Sequence, residues 1–230
     1  MKFTVLQENL KNAVSTTSHF ISPKAQLPIL GNILIKTTKS KIILSSTNLE
    51  TSVSISIGAK IEKEGEITVP GRTFCDIVSN LRPGLIDIEV EKEQLKVSAG
   101  SFKSNILGIN SSDFPIIPNS IGKNAITLPK EKLIEGLIKT LFTVSSDETR
   151  PVLTGVLFIF KGKKLHLVAT DGFRLSQKII NLEKEYEEQK IIVPKTILLE
   201  ISKLTNDENI SFSFSKKDNQ IIFVSGEKNI

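Results

Sequence analysis

The chain has no tryptophan, one tyrosine, one cysteine and two histidines among its 230 residues. A lone cysteine, Cys75, cannot form an internal disulfide, and in its apolar, helix-like setting it reads as a small core residue. His19 and His166 have no companions at ligand spacing, so no His/Cys metal site is expected. No GxSxG sequence, glycine-rich phosphate loop or His pair appears, and Asp147 and Glu148 lie in a polar stretch without a candidate base. Catalysis, a cofactor and a metal are therefore not expected. No run approaches the twenty or so apolar residues of a membrane span, and the N-terminal MKFTVLQENLK lacks the apolar centre of a secretion signal. Together with the single thiol, this predicts a cytoplasmic protein.

What is present is repetition. Hydrophobic residues make up 39% of the chain, enough for a core, and the net charge of +5 allows an anionic partner without demanding one. Four stretches share one plan, a strand end running into a helix: from Thr4, Thr68, Thr127 and Ile192. In three of them a proline (Pro70, Pro129, Pro194) stands at the entrance, where a missing N–H costs nothing and the fixed φ suits a first turn. Apolar residues then recur at helical spacing, as in Phe74, Ile77, Val78 and Leu81, or Leu133, Ile134, Leu137 and Leu141. Between the helices, TSVSISIG and ISFSFS alternate apolar and polar residues as strands with one wet face do. GVLFIF is apolar on both faces.

A longer period overlies the short one. A shift of 123 positions lays Thr4 on Thr127, Leu10 on Leu133, Pro28 on Pro151, Leu30 on Leu153, Leu44 on Leu167 and Thr47 on Thr170 without a gap. Two homologous domains follow, at 1–118 and 119–230, joined near SSDFPIIPNSIGKN, where prolines lie among small polar residues. The fold class is α+β, each domain carrying two helices packed on antiparallel sheets.

VATDGFRLS, residues 168–176, sets an Asp-Gly pair between alternating runs. The residues leave three roles open for Asp171: catalytic carboxylate, metal ligand or turn. The turn is favoured, as a hairpin with both central residues at positive φ. The first domain keeps the turn in LSSTNLETS but has no counterpart of Gly172, Phe173, Arg174 and Leu175, and an aromatic residue beside an arginine suits a partner-binding patch.

LPILGNILI (27–35), VPGRTFCDI (69–77), SSDFP (111–115) and VATDGFRL (168–175), in this order and spacing, resemble the bacterial sliding clamp, the beta subunit of DNA polymerase III holoenzyme. The resemblance implies the DNA clamp fold: a head-to-tail homodimer ring, three similar domains per protomer, helices lining the hole. It implies a processivity factor that holds duplex DNA non-specifically and tethers the DNA polymerase III alpha subunit, the clamp loader and other proteins with clamp-binding peptides. By position, Lys24, Arg72 and Lys195 match DNA-contacting residues, and Lys11 and Lys132 join them on polar helix faces, since phosphate contacts carry no sequence information. Where well-studied clamps have aromatic residues after ETR, this chain has Pro151 and Val152.

The resemblance further implies that Leu153, Thr170, Gly172, Phe173, Arg174 and Leu175 form half of a peptide pocket, with Phe173 where histidine is common. Leu81, Lys103, Ser104 and Ile106 mark the implied dimer-interface edge, the last three within a strand expected to be unpaired at residues 101–107. The clamp's third domain does not appear in the 230 residues. The expectation is a fragment that cannot close a ring, since head-to-tail closure joins two different surfaces. From another class, the same architecture suits a non-catalytic two-domain β-rich ligand- or surface-binding protein.

Overall fold

In the computed structural model, residues 1–22, 26–118, 121, 125–203, 209–215, 220–226 and 228–229 are described. Lys24, expected to contact DNA, lies outside them. The chain divides into two compact units, Met1–Asn119 with Glu227–Ile230, and Ser120–Gly226.

The first unit runs β1 (Lys2–Leu6), α1 (Gln7–Ser18), β2 (Asn32–Thr38), β3 (Lys41–Thr47), β4 (Ser52–Gly58), β5 (Lys60–Lys63), β6 (Glu66–Pro70), α2 (Gly71–Asn80), β7 (Leu85–Glu91), β8 (Gln94–Ala99) and β9 (Phe102–Leu107). One antiparallel sheet has the order β5-β1-β7-β8-β9. A second joins β6, β2, β3 and β4 through antiparallel pairs. Alternation decides which faces are covered. Phe3 and Val5 in β1, Ile86 and Ile88 in β7, and Leu95 and Val97 in β8 turn inward, as do Ile33 and Ile35 in β2, and all are buried. Leu10, Ala13 and Val14 of α1 and Phe74 and Val78 of α2 close the core from the helix side. The two helices pack on one another, and the buried Gln7 amide donates to the Val78 carbonyl across them at 2.9 Å.

The second unit repeats the plan with β10 (Ile126–Pro129), α3 (Lys130–Ile138), β11 (Gly155–Thr170), β12 (Leu175–Pro194), α4 (Lys195–Ser202), β13 (Asn209–Ser215) and β14 (Gln220–Ser225). β10, β13 and β14 form one antiparallel run, and β11 pairs with β12 from Gly155↔Pro194 to Thr170↔Leu175. In GVLFIF one face is buried through Val156, Phe158 and Phe160, while Leu157 and Ile159 are half-buried. Phe158, Phe160, Phe212 and Phe223 fill the core with ring centroids 5.3 to 6.3 Å apart. The short strand β15 (Lys228–Asn229) returns to the first unit, antiparallel to β4.

Thr17 and Thr140 stand 123 positions apart and make the same bonds, each hydroxyl donating back to the carbonyls three and four residues earlier. Such back-bonding slackens a helix end, and both helices stop within two residues of these threonines. The prolines sit one step earlier than the sequence plan suggests. Pro70, Pro129 and Pro194 are N-caps that end their strands, with φ of −54°, −57° and −56°.

Candidate nucleic-acid interface and partner pocket

The expected DNA-facing cations lie at or near helix starts. Arg72 is the second residue of α2, Lys132 the third of α3 and Lys195 the first of α4, while Lys11 lies further along α1. Lys11, Arg72 and Lys132 are exposed, Lys195 is half-exposed, and none of the four holds an ion pair among the described residues. Neither α2 nor α4 has an acidic residue in its first turn, and no side chain caps α2, α3 or α4. Cations beside the positive end of a helix dipole are electrostatically unfavourable unless an anion joins them. Some other basic residues on the helices hold ion pairs. Glu135 accepts from Lys139 at 2.6 Å and Lys178 at 3.1 Å, and these two lysines, Lys139 first, hold its carboxyl down to about 2. Lys203 pairs with Glu200 at 2.7 Å.

The turn after β11 answers the question of Asp171. Its Oδ1 accepts the backbone N–H groups of Phe173 and Arg174, each at 3.0 Å, and these hold its carboxyl below the ordinary aspartate value. Oδ2 accepts from Arg174 Nε at 3.0 Å. Thr170 Oγ1 donates to the Arg174 carbonyl at 2.7 Å and accepts from Gly172 N–H at 3.1 Å. Asp171 is thus fully used in shaping a turn. Only Gly172, at φ 92°, has positive φ there, so the tight hairpin expected from Asp-Gly is replaced by a wider loop closed by side chains.

This loop is braced from below. Arg174 Nη2 donates to the Phe142 carbonyl at 3.0 Å, and its guanidinium stands 5.5 Å from the Phe142 ring centroid. Thr143 Oγ1 lies 3.0 Å from Ser176 Oγ, whose hydroxyl donates to the Lys139 carbonyl. A Cβ on Gly172 would come 3.6 Å from Arg150 Nη1, and Arg150 is held by Asp147 at 3.1 Å. Leu153, half-buried, ends a short 3-10 turn, and its carbonyl accepts from Ser145 N–H at 2.9 Å. Against this frame Phe173 stands 96% exposed and Leu175 66%, with Val152 and Phe142 also exposed. Phe142 and Arg150 were not legible as site residues, because the bond from Arg174 to Phe142 joins positions 32 apart.

At the other predicted surface, β9 is the last strand of its sheet. Lys103 is exposed and Ser104 half-exposed, whereas Ile106 is only 4% exposed. Ile106 points into the core, so at this edge it presents its backbone rather than its side chain. Leu81, half-buried, caps α2 beside a cleft of about 490 Å³ that Leu85 and Phe102 also line.

Paired helices on antiparallel sheets, twice over, define the α+β architecture of the DNA clamps. The family model for the DNA polymerase III beta subunit N-terminal domain matches residues 1–118, and that for its central domain matches residues 127–230. The chain belongs to the DNA polymerase III beta subunit family. It is 31% identical to the beta sliding clamp of Staphylococcus epidermidis over 238 aligned positions, covering 100% of this chain and 63% of the relative. Among solved structures it resembles the DNA polymerase sliding clamp of Bacillus subtilis, with a TM-score of 0.92 and 26% identity over 100% of this chain and 63% of that one. The DNA polymerase III beta chain of Streptococcus pneumoniae gives a TM-score of 0.90 and 30% identity, covering 99% and 63%. The chain thus spans 63% of the length of the curated relatives it matches.

Proposed function

We propose that this chain works as part of a sliding clamp, a non-catalytic processivity factor that holds duplex DNA without reading its sequence and tethers a replicative polymerase. The observation that carries the reading is the match of two successive clamp domains along the chain. Lys11, Arg72, Lys132 and Lys195, without ion pairs among the described residues, support it, because charges on solvated helix faces attract phosphates diffusely and let a protein slide. Lys24 joins them by its position in the sequence. In the first unit α1 and α2 pack together, in the second α3 and α4 do, so each unit offers a two-helix face.

The loop of Thr170, Gly172, Phe173, Arg174 and Leu175, with Leu153, forms one half of a pocket for a short clamp-binding peptide. Its donors are the DNA polymerase III alpha subunit, the clamp loader and other clamp-binding proteins. The β9 edge, with Leu81, Lys103 and Ser104, is one of the two different surfaces that head-to-tail closure requires. By themselves the 230 residues are expected to bind duplex transiently, without the topological hold of a closed ring.

Charge reversal tests the DNA face. Arg72→Glu with Lys195→Glu is expected to weaken non-specific duplex binding and to lower the magnitude of the slope of log K against log salt by about 2, since each lost phosphate contact removes roughly 0.9. Fluorescence anisotropy over a salt series measures both. Unchanged affinity and slope in a folded double variant would remove the helix faces from the DNA reading.

A further inference from the structure

The two units differ at one sheet edge. In the first, β1 has strand partners on both sides: β7 on one, and on the other β5, in the register Phe3↔Ile61 and Thr4↔Lys60. The equivalent strand of the second unit, β10, is the last in its order and pairs only with β13 among the described residues. The stretch that corresponds to β5, residues 183–186, runs within β12, where the pairing with β11 skips from Gly162↔Tyr186 to Lys164↔Asn181. Residues 183–185 lie outside that ladder, and among the described residues none of the stretch pairs with β10. Two clefts are left between them, of about 130 and 460 Å³, both lined by Ile126, Lys184 and Tyr186.

The repeat supplies the cause. Ile61 lies across from the buried Phe3; the 123-residue shift puts Lys184 in the place of Ile61 and the buried Ile126 in the place of Phe3. An aliphatic side chain gains by covering a buried neighbour on the adjacent strand, and a lysine facing the same place must keep its ammonium in water. Residues 183–186 therefore do not dock, and among the described residues the outer edge of β10 has no strand partner for its backbone donors and acceptors. Phe160 and Phe212, both nearly fully buried, line the larger cleft beside that edge.

We propose that this groove binds an extended segment of a partner protein, added as a strand along β10, with one aliphatic residue set opposite Ile126. The first unit shows the chemistry of the occupant in Lys60–Lys63, Lys-Ile-Glu-Lys, where a half-buried isoleucine stands among charges of both signs. The rim of the groove is likewise mixed. Glu183 and Glu185 hold no ion pair among the described residues, and Lys132 and Lys184 accompany them. Main-chain bonds give such strand addition its affinity and the pocket for alternate side chains gives its specificity. The site shares no residue with the loop at 170–175 and does not depend on the clamp reading.

The test uses the 230-residue protein and a fluorescently labelled peptide that copies residues 58–65. Binding is expected by anisotropy, with amide exchange at residues 126–129 slowed in the complex. The same peptide carrying Ile61→Lys is expected to bind at least tenfold more weakly. In the protein, Lys184→Ile should let residues 183–186 close on β10 and lower affinity for the unaltered peptide at least tenfold, while duplex DNA binding stays unchanged. The peptide comparison is made on the unaltered protein and stands even if the Lys184 variant folds poorly. No binding at millimolar peptide, equal affinity for the two peptides, or protection confined to residues outside 126–129 overturns the proposal.

Discussion

After β3 the first unit turns through Thr47, Asn48, Leu49, Glu50 and Thr51; after β11 the second turns through Thr170, Asp171, Gly172, Phe173 and Arg174. The bonds of the two turns correspond one for one. Thr47 Oγ1 donates to the Thr51 carbonyl at 3.1 Å and accepts from Leu49 N–H at 3.0 Å, as Thr170 does with Arg174 and Gly172. Asn48 Oδ1 accepts from the N–H groups of Glu50 at 3.1 Å and Thr51 at 2.7 Å, where Asp171 accepts from Phe173 and Arg174. Even the left-handed residue is placed alike, with φ of 75° at Leu49 and 92° at Gly172, though only the leucine is strained by it. The frame therefore depends on a threonine, a short polar acceptor and one left-handed residue. The side chain at the fourth position is free of it, whereas at the fifth Thr51 Oγ1 donates to Asn48 Oδ1 at 3.1 Å and Arg174 Nε to Asp171 Oδ2 at 3.0 Å; at these two positions the second unit carries Phe173 and Arg174 where the first has Glu50 and Thr51.

Removing the added side chain should break the difference most. Phe173 is 96% exposed, so Phe173→Ala leaves the frame intact and the fold unstrained. Burying such a ring against a peptide is worth about 1.5–3 kcal/mol, which predicts roughly tenfold to hundredfold weaker binding of a clamp-binding peptide. The salt dependence of DNA binding should not move. Titration by anisotropy on both proteins measures it, and equal peptide affinities would take the pocket away from the second turn.

The third position of each turn sharpens the comparison on the stability side. Gly172→Leu forces a side chain into the left-handed region and is expected to destabilise the second unit by about 1–2 kcal/mol. Leu49→Gly relieves the same strain in the first unit, but glycine adds entropy to the unfolded chain, so a net gain of roughly 0.5 kcal/mol is expected. Urea unfolding of the two variants gives both signs. A destabilised Leu49→Gly would mean that the 64%-exposed Leu49 side chain holds a contact worth more than the strain it causes.

Much of this was legible because a repeat checks itself. Each helix stripe recurs 123 residues on, and the buried residues Leu10 and Leu133, or Leu44 and Leu167, follow it. The turn was legible as a turn, but its width was not, since an Asp-Gly pair does not announce that Thr170 will close the loop with its hydroxyl. Ile106 was assigned to the interface edge by resemblance, and it does lie on an edge strand. Its side chain obeys the two-residue alternation and points inward. The brace under Arg174 and the gap beside β10 both depend on elements meeting in space, for which no local spacing carries a signal.

Acid sharpens the comparison last and least. The two turns use different acceptors, a carboxylate at Asp171 and an amide at Asn48, and only the first titrates. Two backbone N–H groups and the Arg174 guanidinium hold the Asp171 carboxyl below its ordinary value. A depressed carboxyl contributes stability that is fully present above its unfolded value, near 3.9, and is lost as pH falls through its folded value. Below about pH 4 the loop at 170–175 should therefore loosen, and the turn at 47–51 should not. Asp171 is solvent-accessible and its ion pair with Arg174 is screened, so the effect is local and small beside global unfolding. Amide exchange at Phe173 and Arg174, compared with Glu50 and Thr51 between pH 5 and pH 3 after correction for intrinsic rates, reads it directly. Asp171→Asn should abolish the difference, because an asparagine accepts the same two N–H groups at every pH. Equal acid loosening of both turns, or its persistence in Asp171→Asn, would place the titrating group elsewhere.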